Sequence, residues 1–118
     1  MTPRLFRVEH ACDLQRFAKL NGTLDLFQHI APVFVRQADQ WLQHLAAALA
    51  AGDQAQVLDL LHKMKGSSAG ICATSLCDAI QHAESRVVAT GLGASRDELK
   101  AIAVQLIRLN QLLSGLAD

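Results

Sequence analysis

The sequence predicts an all-α fold: an antiparallel up-and-down four-helix bundle with a short additional N-terminal helix. Three observations point there. Apolar residues recur at spacings of three and four over long stretches, the period of one helix face. No run of β-branched residues alternates with polar ones, so strand patterning is missing. Asn21-Gly22, Gly52-Asp53 and Gly91-Leu92-Gly93 divide the chain into helix-length segments.

The first helix is expected at 13–20, with Asp13 as its N-cap, Leu14, Phe17 and Leu20 as its apolar set and Asn21-Gly22 as its stop. Thr23 offers the next cap and Asp25 suits a first turn. A long helix over 23–51 then carries Leu24, Phe27, Ile30, Phe34, Ala38, Trp41, Leu42, Leu45 and Leu49. Pro32 lies inside it, and a proline removes a backbone donor, so a kink or a break is expected near Ile30. Gly52 ends this helix and Asp53 caps the next, over 54–71, with Val57, Leu60, Leu61, Met64, Ser68 and Ile71 facing inward. The fourth helix, 73–90, buries Leu76, Ala79, Ile80, Ala83 and Val87 and stops at Gly91-Leu92-Gly93. Ser95 is expected to cap the last, 95–115, whose stripe is Leu99, Ile102, Leu106, Leu109 and Leu113. The short first helix should lid one end of the bundle.

A chain of 118 residues suggests one domain with one core. Its 11 basic and 11 acidic side chains are mixed along the chain and balance to zero, which speaks against the basic stripe of a nucleic-acid binder. No apolar run approaches the ~20 residues that span a bilayer, and the N-terminus lacks a signal-peptide core. A reducing, cytoplasmic setting and a monomer are the default expectations. Cys12, Cys72 and Cys77 have neither disulfide-framework nor zinc spacing; they read as small buried hydrophobes. His10, His29, His44 and His82 show no ligand spacing. His62 and His82 could face each other across two helices, but two nitrogens alone make a poor metal site.

The informative stretch is Leu60-Leu61-His62-Lys63-Met64-Lys65-Gly66-Ser67-Ser68. At roughly 100° per residue, Val57, Leu61, Met64 and Ser68 fall within an arc of about 60°. His62 lies well outside that arc, on the solvent side. Gly66 sits one turn on and almost opposite the core, and Lys65 and Leu58 flank the same patch. A helix-interior glycine costs about 1 kcal/mol relative to alanine, and on an exposed face it gains no packing in return. Something that must come close to the backbone beside His62 would explain it. Imidazole is nucleophilic near neutral pH, and a lysine three residues on can place its charge beside an anion attached there.

The segment His62-Lys63-Met64-Lys65-Gly66-Ser67-Ser68-Ala69 closely resembles the His-x-Leu-Lys-Gly-Ser motif of histidine-containing phosphotransfer (HPt) domains, with Met64 in place of leucine. Leu45 to Asp53 looks like the family's helix end and Gly-Asp turn, and Ala73, Leu76 and Glu84 fall where the family has a Gly-Ala turn, a leucine and a Leu-Glu pair. The resemblance covers about residues 13 to 113. It implies that His62 accepts a phosphoryl group from an aspartyl phosphate of a response-regulator receiver domain and passes it to another receiver. Lys65 would steady the phosphoryl oxygens and Gly66 would leave room for the receiver's loops. Glu84 would accept a hydrogen bond from His62 Nδ1–H so that Nε2 attacks. Leu58, Asp59 and Ala69 would belong to the docking surface with Gly66. The implied partners are receiver domains and a hybrid sensor kinase, of which the chain could itself be a piece. No cofactor is expected on the chain; Mg²⁺ is expected on the receiver. One departure stands out: the family usually has glycine where this chain has Cys72. Either the third helix ends early or Cys72 takes a left-handed conformation.

The resemblance makes the chain a phosphocarrier rather than an enzyme in its own right, and the sequence holds no phosphate-binding glycine-rich loop. Two other readings are an HPt-like module that docks receivers or dimerises without being phosphorylated, and the phosphorylatable dimerisation domain of a kinase. The second of these predicts a two-helix hairpin that pairs with itself, whereas this chain has helices enough to close its own bundle.

Overall fold

The computed structural model describes Val8 and residues 11–114, and among these the regular structure is entirely helical. The elements are α1 (Leu14–Asn21), α2 (Asp25–Ala51), α3 (Gln54–Gly70), α4 (Thr74–Thr90), a 3-10 turn (Gly93–Ser95) and α5 (Arg96–Ser114). Gly115, expected near the end of the last helix, lies outside the described residues, as do the first seven residues and His10. Helix α2 packs on α3, α3 on α4, α4 on α5 and α5 back on α2, which closes a ring of sequential neighbours joined by short turns. The 27 residues of α2 span about 40 Å and set the long axis of a 43 × 24 × 18 Å molecule.

Helix α2 runs unbroken through Pro32. The missing N–H of Pro32 deprives the carbonyl of Gln28, one turn earlier, of its helical partner. Gln28 is exposed, so solvent can take that bond and the helix need not break. The interior is built from the stripes Phe27, Phe34, Trp41 and Leu45 of α2, Val57, Leu61 and Met64 of α3, Leu76, Ile80 and Val87 of α4, and Leu99, Ile102, Leu106 and Leu113 of α5. Phe34 and Trp41 meet edge-on at 5.7 Å, a favoured aromatic geometry.

Local chemistry sets the helix ends. Asp13 and Asp53 accept from the backbone N–H of Arg16 and Gln56 at 3.0 and 3.1 Å, satisfying donors that have no helical partner. At the end of α2, Gly52 is left-handed (φ 66°), its N–H bonds the Leu49 carbonyl, and Asp53 N–H reaches back to Ala48. The end of α3 repeats the pattern with a different residue. Cys72 is left-handed (φ 56°), its N–H bonds Ala69, and Ala73 N–H reaches back to Ser68. Both alternatives raised for this turn therefore hold: α3 ends at Gly70 and Cys72 takes the glycine-like conformation. The Cys72 carbonyl accepts from Asp13 N–H at 2.9 Å, and Phe17 packs edge-on against Phe27 at 5.1 Å. These contacts seat α1 at this end of the bundle.

Three local expectations are corrected. Thr23 is not the cap residue of α2; Leu24 is, and the Thr23 hydroxyl accepts from Asp25 N–H at 3.1 Å just ahead of the helix. Ser95 does not cap α5. It is buried in the 3-10 turn and donates to the Gly91 carbonyl at 3.1 Å, because Leu92 turns into the core and carries the loop with it. Leu20 is not part of the core at all, being 68% exposed.

The left-handed turn at Cys72 gives a stability test. Cys72→Gly relieves the backbone cost while losing a small buried side chain, so unfolding in urea should place it within about 1 kcal/mol of the wild type. Cys72→Val, apolar but β-branched, should cost about 2 kcal/mol or more at a positive φ.

Candidate functional site

Helix α3 is held by its inward stripe. Val57, Leu60, Leu61, Met64 and Ser68 are all buried, which leaves no rotational freedom to the residues between them. His62, Lys63, Gly66 and Ala69 are exposed and Leu58 and Lys65 are half-buried, an arrangement that follows directly from the helical period. A methyl group built on Gly66 would meet nothing within 4 Å. Packing within the domain therefore does not require glycine there, and the helix bears its cost without an internal reason.

Lys65 reaches across to α4. Its Nζ lies 2.9 Å from Glu84 Oε1, and that carboxylate oxygen is shut off from water. The Cys77 thiol donates to the Lys65 carbonyl at 3.6 Å, a second tie between α3 and α4 at the same level. Glu84 thus stands where the sequence placed it, one helix over from His62, but its carboxylate engages Lys65. Among the described residues no hydrogen bond joins it to His62. Asp59 pairs with Lys63 at 3.0 Å along α3, with both side chains more than half exposed; such a pair contributes little.

The other side of α4 is a separate cluster. Arg86 pairs with Glu98 of α5 and bonds the Ala94 carbonyl at 3.3 Å. His82 Nε2 lies 3.8 Å from Glu98. His82 therefore faces α5 and not the His62 side, because 82 and 86 fall on the opposite flank of α4 from 77 and 84. Among the described residues no three His, Cys, Asp or Glu side chains gather as metal ligands would.

The cysteines do not all behave as buried hydrophobes. Cys12 and Cys72 are buried, but Cys77 is only half-buried. Burial, followed by the neighbouring Cys72 and Cys77, pushes the Cys12 thiol up to about 12, so it stays protonated at neutral pH. Burial also raises Cys77, with Asp78 and Cys72 adding to it and Lys65 opposing. Sequence reasoning did not find Cys77, Asp78 or Arg16 near the end of the α3 face. Their place follows from α1 and α4 converging on the Cys72 turn, which no local spacing encodes.

The structure thus presents a histidine on a rigid helix, a bare glycine one turn on, and a lysine held alongside by a carboxylate. No curated protein and no solved structure matches the chain. A family model described as the Hpt domain matches residues 29–118, which leaves α1 outside the matched span. The chain belongs to the Hpt domain family, the phosphocarrier modules of histidine phosphotransfer in two-component signalling.

Proposed function

We propose that the domain relays a phosphoryl group between the aspartates of receiver domains, with His62 as the carrier. The observation that supports this most directly is the open space over Gly66 beside an exposed imidazole on a helix fixed by its core. A nucleophile that must meet an acyl phosphate inside another protein's active site needs to be proud of the surface and unobstructed on at least one side. In the transfer, the Nε2 lone pair of His62 attacks phosphorus, an N–P bond forms, and the aspartate leaves as carboxylate with the electrons of the broken O–P bond. Nδ1 keeps its proton. Transfer onward reverses these events on a second receiver, where Mg²⁺ is expected to sit.

Lys65 is the cation available to the phosphoryl oxygens, and Glu84 sets where it waits. A carboxylate and a phosphoryl group compete for one ammonium, so Lys65 can exchange its partner when His62 is charged with phosphate. Glu84 then acts on the reaction by positioning Lys65. Leu58, Asp59, Gly66 and Ala69 surround His62 as the contact surface for the receiver.

Incubation with ³²P-phosphorylated receiver domains should place acid-labile, base-stable phosphate on the wild-type chain and none on His62→Gln; label on that variant rules out His62 as the carrier. A chain that is not labelled by any receiver yet binds one would instead be a docking module. Gly66→Ala should stabilise the fold by about 1 kcal/mol in thermal or urea melts. Gly66→Leu should fold normally but transfer at least about tenfold more slowly, and normal transfer by it would remove the close-approach argument. The Lys65–Glu84 side chains are 32% and 20% exposed, so the pair contributes about 1 kcal/mol at most. Glu84→Ala and Lys65→Ala should each slow transfer about fivefold, and the double variant should be hardly slower than either single one. Additive losses would show that Glu84 acts on His62 independently of Lys65.

A further inference from the structure

Cys72 is left-handed, a conformation that glycine takes at Gly52 without steric cost. The backbone of the turn therefore gives no reason for a side chain there, and the thiol itself needs an explanation. A second thiol lies beside it. Asp13 N–H donates to the Cys72 carbonyl at 2.9 Å, and Cys12 is the residue just before Asp13. Standard peptide geometry on either side of that bond sets the Cα atoms of Cys12 and Cys72 about 4–6 Å apart. A disulfide joins Cα atoms that are about 4.4–6.8 Å apart. Both thiols are free and buried.

We propose that Cys12 and Cys72 form a redox pair, which a peroxide converts to a disulfide that clamps α1 to the turn between α3 and α4. The pairing is independent of the role given to His62. A peroxide has a way in, because Cys72 lines a groove of about 240 Å³ with Arg16, Leu20, Ala69 and Cys77. That is room for a molecule little larger than water. Burial raises the Cys72 thiol, the Arg16 guanidinium opposes that rise and Asp13 adds to it. Of the pair, Cys72 has both the groove and the nearby cation, so attack starts there.

In the first step the Cys72 thiolate attacks one oxygen of hydrogen peroxide, an S–O bond forms, the O–O bond breaks and hydroxide leaves. The Cys12 sulfur then attacks the sulfur of the resulting sulfenic acid. An S–S bond forms, the S–O bond breaks, and the departing hydroxide takes the Cys12 proton away as water. Two thiols are oxidised to one disulfide while the peroxide is reduced to water. Burial keeps both thiols largely protonated, so the conversion is slow and answers sustained oxidation rather than a brief pulse.

The bridge acts on α1. This helix has 8 residues, too few to be stable by itself, and it relies on the Asp13 bond and on Phe17 packed against Phe27. A disulfide between Cys12 and Cys72 closes a loop of about 60 residues and makes that anchorage covalent. Cys77 is the rival partner, but its thiol is engaged with the Lys65 carbonyl at 3.6 Å. A bridge to it would join residues that the first turn of α4 already holds together.

The test holds the full chain in excess hydrogen peroxide, alkylates the remaining thiols and maps the peptides by mass spectrometry without reduction. The expected product has lost two hydrogens and carries a cross-link between the Cys12 and Cys72 peptides, and dithiothreitol restores the starting mass. The oxidised chain should melt at least about 10 °C above the reduced one. Cys77→Ser should behave in the same way, whereas Cys12→Ala should gain neither the cross-link nor the higher melting temperature. If Cys12→Ala does not fold, the wild-type peptide map decides alone. A cross-link through Cys77, oxidation to sulfinic acid with no cross-link, or an unchanged chain after prolonged exposure overturns the pairing. A cross-linked chain that melts as the reduced one does overturns the clamp.

Discussion

The rotational setting of α3 is the constraint on which the site depends. Leu61 and Met64 are fully enclosed, and a helix that advances about 100° per residue cannot bury both and hide His62 as well. Rotating α3 far enough to cover the imidazole would pull those two side chains out of the core, at about 2 kcal/mol or more apiece. The hydrophobic effect, acting on residues enclosed in the core, therefore holds the histidine at a fixed height and direction. For the proposed transfer inside a receiver's active site, that fixed geometry would replace much of what a pocket does for an enzyme.

Two further features act around this fixed point with opposite economies. Gly66 removes atoms: it weakens the helix slightly and leaves the backbone open beside His62. The Lys65–Glu84 pair adds charge while keeping it neutral overall at rest. A lone ammonium beside His62 would favour the phosphorylated state but would also attract any anion. In the proposed transfer, partnering it with a carboxylate on the neighbouring helix would make the cation conditional on an anion that competes better for it. The Cys77 contact to the Lys65 carbonyl ties α3 to α4 at the level of the Lys65–Glu84 pair.

The end of α3 shows how one turn links fold and surface. Cys72 adopts the conformation that glycine takes at the end of α2, with the same pair of backbone bonds. The cost of a side chain at positive φ is offset by burying the thiol and by the bond from Asp13 N–H to the Cys72 carbonyl, which brings α1 to this end. The same turn thus closes the core, seats the lid helix and sets Leu20 beside Ala69. A cysteine holds this left-handed position because neighbouring elements over-determine the turn.

By itself the sequence determined the helical class, the inward stripes and the outward position of His62, because each depends only on the 3.6-residue period and on which side chains avoid water. The Asp13 and Asp53 caps were legible for a similar reason, being bonds within one turn of the chain. Tertiary structure decided the rest. It gave Glu84 to Lys65 and turned His82 toward Glu98, since the partner of a flanking charge depends on which helix lies on that flank. It kept α2 continuous through Pro32 by leaving Gln28 on the solvent side, and it drew Ser95 into the interior behind Leu92. Leu20 fell on the other side of the same divide: its spacing suggested core, but the short α1 meets the bundle on one side only, and how much of a helix a neighbour covers is a property of the assembled fold.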